Sequence, residues 1–259
     1  MRKGRLLLGV SAAVAALAVG SWYALLRDDP TPISVSDAVS RFRAIDASGA
    51  SVASLGAVPR SGVYRYATRG SERFESILDG RHDYSGISTV TVSRTDCGLL
   101  ERWDALDERW TAWEDCMTPE RARLRSLTEF HEFYGRSKRL HYRCSSGLLP
   151  RATRMSAGRR WTDSCTSSDG AMVLRQRIVG PETLTVAARP VGTVHVHIDA
   201  SLSGQARGVT TIDSWLLRSN GLLVQRSLRS DVRIGGTPFG DVSHHERYAI
   251  ELRSLEPLR

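Results

Sequence analysis

Two kinds of side chain in this sequence could do chemistry by type and spacing. The four cysteines are Cys97, Cys116, Cys144 and Cys165. A thiol acts as nucleophile or ligand when a base or a second close thiol favours the thiolate. None of the four lies in a Cys-x2-Cys pair or beside an evident base, so catalysis and metal binding are both disfavoured and disulfides are expected. Four cysteines allow three pairings. The histidines form two tight groups, His195 with His197 and His244 with His245. Such groups can converge on a metal, but histidine is also ordinary on the solvent face of a sheet. The second reading is the expectation: no metal, no cofactor and no catalytic residue. The sequence contains no Walker loop, GxGxxG opening, GxSxG elbow or HExxH helix. Serine, histidine and aspartate abound, so a hydrolase stays as a remote alternative.

The stretch DCGLLERWDALDERWTAWEDC, residues 96–116, tests what the first two cysteines do. As a helix it would align Leu99, Trp103, Leu106, Trp110 and Trp113 on one stripe. The cysteines would then sit nearly 30 Å apart along the axis, whereas a disulfide needs Cα atoms within about 7 Å. As a hairpin turning at residues 105–108, with paired numbers summing to 213, Cys97 faces Cys116, Leu99 faces Glu114 and Trp103 faces Trp110. The hairpin uses both cysteines, so it is preferred. Cys144 and Cys165 then flank the Gly-, Ser- and Arg-rich loop between them.

The N-terminus sets the compartment. MRKGR is basic, and residues 6–26 carry no charge. At about 1.5 Å per residue this run reaches roughly 30 Å, the thickness of a hydrocarbon core. Trp22 and Tyr23 lie near its far end, where aromatic rings favour the interface. A cleaved signal peptide usually has an apolar run of about 7–15 residues. The longer run here favours an uncleaved anchor over residues 1–27, N-terminus in the cytoplasm and the rest outside. Residues 28–61 read as a linker and a short helix, with Ser36 as cap and Val39, Phe42 and Ile45 as its apolar face. Residues 62–258 read as an exported β domain with two disulfides. The chain carries 36 bases and 28 acids. They are interspersed, so no nucleic-acid footprint is expected.

Within the β domain the alternation is clearest near the C-terminus. Val194, Val196, Ile198, Ala200 and Leu202 fall on one face of a strand, and His195, His197 and Asp199 on the other. Asn220-Gly221 between apolar runs predicts a hairpin. Tyr248, Ile250 and Leu252 point inward. MVLRQRIVG and TLTVAARPV read as two strands parted by Gly180-Pro181, and LRSLTEFHEFYG is ambiguous between helix and strand. The expected fold is mainly β: roughly eight to eleven strands in a long curved antiparallel meander, open like a half-barrel.

GVYRYATRGSE, TVTVSRTDCG, the RW…ERW…C run, the later RC…W…C pair and the closing W…GLLV…E.Y.I.L.SL.P resemble a group of actinobacterial membrane-anchored or secreted proteins over about residues 34–258. That resemblance implies an envelope location and no particular activity. The helix-plus-meander plan is also similar to the half-barrel of lipoprotein carriers, which enclose an apolar cavity. The expected function is therefore a non-enzymatic extracytoplasmic envelope protein, held to the membrane by its N-terminal helix and binding a lipid or other apolar ligand. The alternative is a structural or interaction module for cell-wall or secretion machinery, working through exposed loops such as the Arg-rich 150–160 segment.

Overall fold

From Gly62 onward apolar and polar side chains alternate, and almost every such run forms a strand. A computed structural model describes residues 30–46, 57–75, 80–147, 149–237 and 240–259. The expected anchor, residues 1–27, lies outside them, and no described helix is long and apolar enough to cross a membrane. Helix α1 spans Val35–Asp46. The strands are β1 Gly62–Glu75, β2 Gly80–Arg94, β3 Gly98–Leu106, β4 Arg109–Met117, β5 Arg121–Phe133, β6 Arg136–Ser145, the two-residue β7 Leu149–Pro150, β8 Arg160–Ser167, β9 Gly170–Val186, β10 Arg189–Gly204, β11 Ala206–Leu217, β12 Leu223–Thr237 and β13 Gly240–Leu252.

Twelve of these pair in chain order as an antiparallel meander, and β13 returns to pair with β1. The sheet is thus a closed barrel with β7 added at the edge of β5. The expected half-barrel is corrected to a full one. Meander order was legible in the alternation. Closure was not, because it depends on the Tyr66↔Leu252 to Glu75↔Ser243 ladder between the two ends of the domain. Closing removes the two free edges that an open sheet would present.

The inner face is packed on one side. Tyr64, Tyr66, Val90, Val92, Leu99, Trp103, Leu223, Ile250 and Leu252 form the main core, and Tyr66 donates its hydroxyl proton to the Leu223 carbonyl. Val63 points outward and is covered by Ala38 and Phe42 of α1. Arg41 of that helix lies 3.7 Å from Asp104. The helix starts at Val35, so Ser34 occupies the capping position expected for Ser36, and the two hydroxyls are bonded. Ile45, expected on the packed face, is 51% exposed.

Both expected disulfides are present, with Cα separations of 4.8 Å for Cys97–Cys116 and 3.9 Å for Cys144–Cys165. Such bonds belong to chains that fold outside the reducing cytoplasm. The first hairpin forms, but its register is one residue off the expectation. Gly98 pairs with Cys116, Leu99 with Asp115 and Trp103 with Thr111. A one-residue slip moves side chains to the opposite face. Trp103 therefore enters the core, while Trp110 lies on the other face, stacked on Phe130 at 5.3 Å. The two strands expected on either side of Gly180-Pro181 are not separate: MVLRQRIVG and the TLTV of the second run form one strand, β9, and the rest of that run turns into β10. Strand β9 absorbs the irregularity as a bulge opposite His195/Val196. The reversal comes instead at Ala187 and Ala188, with φ of 47° and 63°. Two alanines in the left-handed region carry no turn signal in their types. The ambiguous run, residues 124–135, is mostly β5, and Asn220-Gly221 sits in the β11–β12 turn as expected.

Candidate functional site: the barrel lumen

On the side of the barrel away from the main core the lumen is not filled. A cavity of about 350 Å³ lies there, within the size of small-molecule sites. Leu124, Leu127, Leu140, Met172, Leu174, Ile198, Ile212 and Leu228 line it, from β5, β6 and β9–β12. Leu149, Ala152 and Met155 of the connection between β6 and β8 border it too. Part of the segment expected to act as an exposed Arg-rich loop therefore turns inward.

Polar groups enter this lumen in two clusters. The first lies on β1, β2, β4, β5 and β13. Glu72 is fully buried and accepts from three rings: His82 Nδ1 at 2.9 Å, His131 Nδ1 at 2.8 Å and His244 Nε2 at 3.2 Å. His82 stacks on Phe133 with centroids 4.0 Å apart, and Phe74 packs against both Phe133 and His244. Beside them Arg109 holds Glu246 with two bonds of 3.0 Å, and Tyr84 donates to the same carboxylate at 2.8 Å. The remaining Arg109 donor reaches the Trp110 carbonyl and Thr111 Oγ1. Burial alone would raise the Glu72 carboxyl. His131 and the three ring bonds outweigh it and hold the carboxyl well below its usual range. Burial, then the Arg109 guanidinium, keeps His131 below an ordinary histidine. Burial opposes the charge on Glu246, but Arg109 holds it down as a carboxylate.

The second cluster is Glu101, Asp115, Asp163 and Arg226. Trp113 Nε1 donates to Glu101 at 3.0 Å, and the Arg226 guanidinium lies over the Trp113 ring at 4.3 Å. Burial raises Glu101 and Asp163. Burial, with the Glu101 and Asp163 charges adding, pushes Asp115 up to about 8. The folded state thus keeps a proton on Asp115 that the unfolded chain releases near pH 4. The resulting cost is absent below that pH, grows between about pH 4 and 8, and is complete above 8. Asp115→Asn is expected to remove this slope. Relative to wild type the variant should gain roughly 4 kcal/mol in unfolding free energy between pH 5 and pH 9. Urea unfolding at both pH values measures it, and parallel profiles for the two proteins would contradict it.

The histidine groups of the sequence do not converge. His195 and His197 stay on the outer face of β10, where both bond Asp213 Oδ1 at 2.8 Å. His195 also stacks on Trp215 at 4.3 Å. His245 bonds Asp231 at 2.8 Å on the outer face of β13. Only His244 of the four turns inward, where it meets Glu72 and His131; these and His82, bonded to Glu72, were not selected by sequence reasoning. Their signal was a charge or ring on an inward stripe: Tyr64, Tyr66 and Thr68 lead to Glu72 on β1, and His244 and Glu246 precede Tyr248 and Ile250 on β13. The four cysteines are tied as structural disulfides, with Cys116 next to Asp115 and Cys165 in the wall of the cavity. Cys97 also lies close to Asp96 and Glu114, but its sulfur is tied in the disulfide and both carboxylates bond Arg125.

These features define a class: an up-and-down closed β-barrel with a partly filled lumen. No protein-family model matches the chain, and no curated protein is significantly similar to it. Among solved structures, the hypothetical lipoprotein YmcC from Escherichia coli K12 aligns over 84% of this chain and 97% of its own, with 14% identity and a TM-score of 0.31.

Proposed function

We propose that this protein is a non-enzymatic envelope protein that binds a lipid or another elongated apolar ligand inside its barrel. The single observation carrying the reading is the apolar cavity between β5, β6 and β9–β12. Monomeric cores are packed close to crystal density, so a void of this size lined by leucine, isoleucine and methionine suits a ligand better than it suits stability. The two disulfides agree with an extracytoplasmic address. The N-terminal apolar run would hold the barrel at the membrane surface.

Native mass spectrometry of the full chain, produced with its disulfides formed and released from detergent, tests this. A bound mass in the range of a lipid or fatty acid is expected. Ile198→Trp, which grows an indole into the cavity, is expected to lower retention at least tenfold with thermal unfolding little changed. A ligand-free mass after incubation with lipid vesicles, or equal retention by Ile198→Trp, would overturn the reading.

A further inference from the structure

The buried cluster at Glu72 brings two acids, a guanidinium and three imidazoles together inside the barrel. Glu72 and Glu246 are its two acids, and among the described residues Arg109 is the arginine that reaches both. Arg109 is committed to Glu246 through two 3.0 Å bonds and stands 3.8 Å from Glu72 Oε2.

Three atoms of the cluster are metal ligands by type. Glu72 Oε2, His131 Nδ1 and His244 Nε2 all lie within 4.8 Å of one another. Zinc bonded at about 2.1 Å to three tetrahedral ligands needs those atoms roughly 3.4 Å apart. The Glu72–His131 and Glu72–His244 separations are 2.8 and 3.2 Å. Small rotations of the two rings would open the space, with each ring's proton moving to its other nitrogen. The remaining carboxylate oxygen, Oε1, is held by His82 Nδ1 at 2.9 Å, the kind of outer bond that fixes a ligating carboxylate. His131 and His244 border the cavity while Glu72 does not, so a fourth coordination position would face the lumen.

We propose that Glu72, His131 and His244 bind one divalent transition-metal ion, zinc or a near relative, with an open position toward the barrel cavity. Two histidines and a carboxylate are a donor set suited to zinc, iron or cobalt and poorly suited to calcium or magnesium. The Arg109 guanidinium opposes a cation, and its pairing with Glu246 limits that opposition.

Cobalt(II) titration of the full chain, stripped with chelator and made without a histidine tag, tests the site. One equivalent is expected to give the visible d–d bands of a four- or five-coordinate ion, and zinc should displace it. His131→Ala should abolish the bands, while the outer double variant His195→Ala/His197→Ala should keep them. His131→Gln keeps a hydrogen-bond donor for Glu72 without an imidazole, and should also lose the bands if His131→Ala fails to fold. Absent bands in the wild type, bands that survive both His131 substitutions, or loss in the outer variant would overturn the proposal.

Discussion

Arg109→Met is expected to lower the unfolding free energy by about 3–5 kcal/mol. Arg109 is 2% exposed and Glu246 is 5% exposed. Their two-bond pairing is desolvated on both sides. Removing the guanidinium leaves Glu246 as a buried carboxylate whose side-chain donor is then Tyr84, and it takes away a cation 3.8 Å from Glu72. The size of the loss measures an abandoned charge, not the intrinsic worth of the pair. A paired ion inside a protein is often no more stabilising than well-packed apolar groups. The double variant Arg109→Met/Glu246→Gln should therefore recover most of the loss, since the amide keeps an acceptor for Tyr84 and no charge remains. Urea unfolding of the single and double variants at neutral pH checks both statements. A single variant within about 1 kcal/mol of wild type would mean that water or another cation reaches Glu246.

That charged cluster was the least legible part of the sequence, and the reason is geometric. A strand shows its two faces by period two, but which inward residues meet depends on register across the barrel. His131 sits opposite Arg109 through the β4–β5 ladder. Glu72 sits opposite Glu246 through β1–β13 and opposite His82 through β1–β2. These ladders join residues up to about 170 positions apart, and no local pattern encodes them. What local patterns did encode was recovered: the inward run from Val196 to Leu202, the inward Tyr248, Ile250 and Leu252, and the Asn220-Gly221 reversal. The hairpin at Cys97 was legible because a covalent bond limits distance. Its register was not, because the reversal falls at Asp107-Glu108, later than expected, and the bulge between Asp104 and Leu106 offsets only part of that shift. The cavity was invisible for a further reason. Leu140 and Leu174 are leucines whether a neighbour or a void lies beyond them.

Replacing Cys144 and Cys165 with serine is expected to open the barrel along one seam, a different outcome from replacing Cys97 and Cys116. The two disulfides close loops of similar length, with sequence separations of 21 and 19. Chain entropy alone therefore assigns each about 3 kcal/mol. Their surroundings differ. Cys97–Cys116 sits at the end of the long β3–β4 ladder, and β4 is held on its other side by β5. Cys144–Cys165 lies in the middle of the β6–β8 contact, where only three residue pairs join the strands: Arg143↔Thr166, Cys144↔Cys165 and Ser145↔Ser164. Above them an ion pair from Lys138 to Asp169 adds a tie, but exposed ion pairs contribute little. The wall beside this seam is the cavity wall, with Tyr142, Cys165, Met172 and Leu174 in one cluster. Without the bond, local opening should cost less than global unfolding. Hydrogen–deuterium exchange by mass spectrometry reads this directly. Cys144→Ser/Cys165→Ser should lose protection in β6 and β8 by at least tenfold while β1, β2 and β13 keep theirs. Cys97→Ser/Cys116→Ser should lose comparable global stability with no such local loss. Uniform loss of protection across the barrel in the first variant would show that the three-pair seam is no weaker than the rest of the wall.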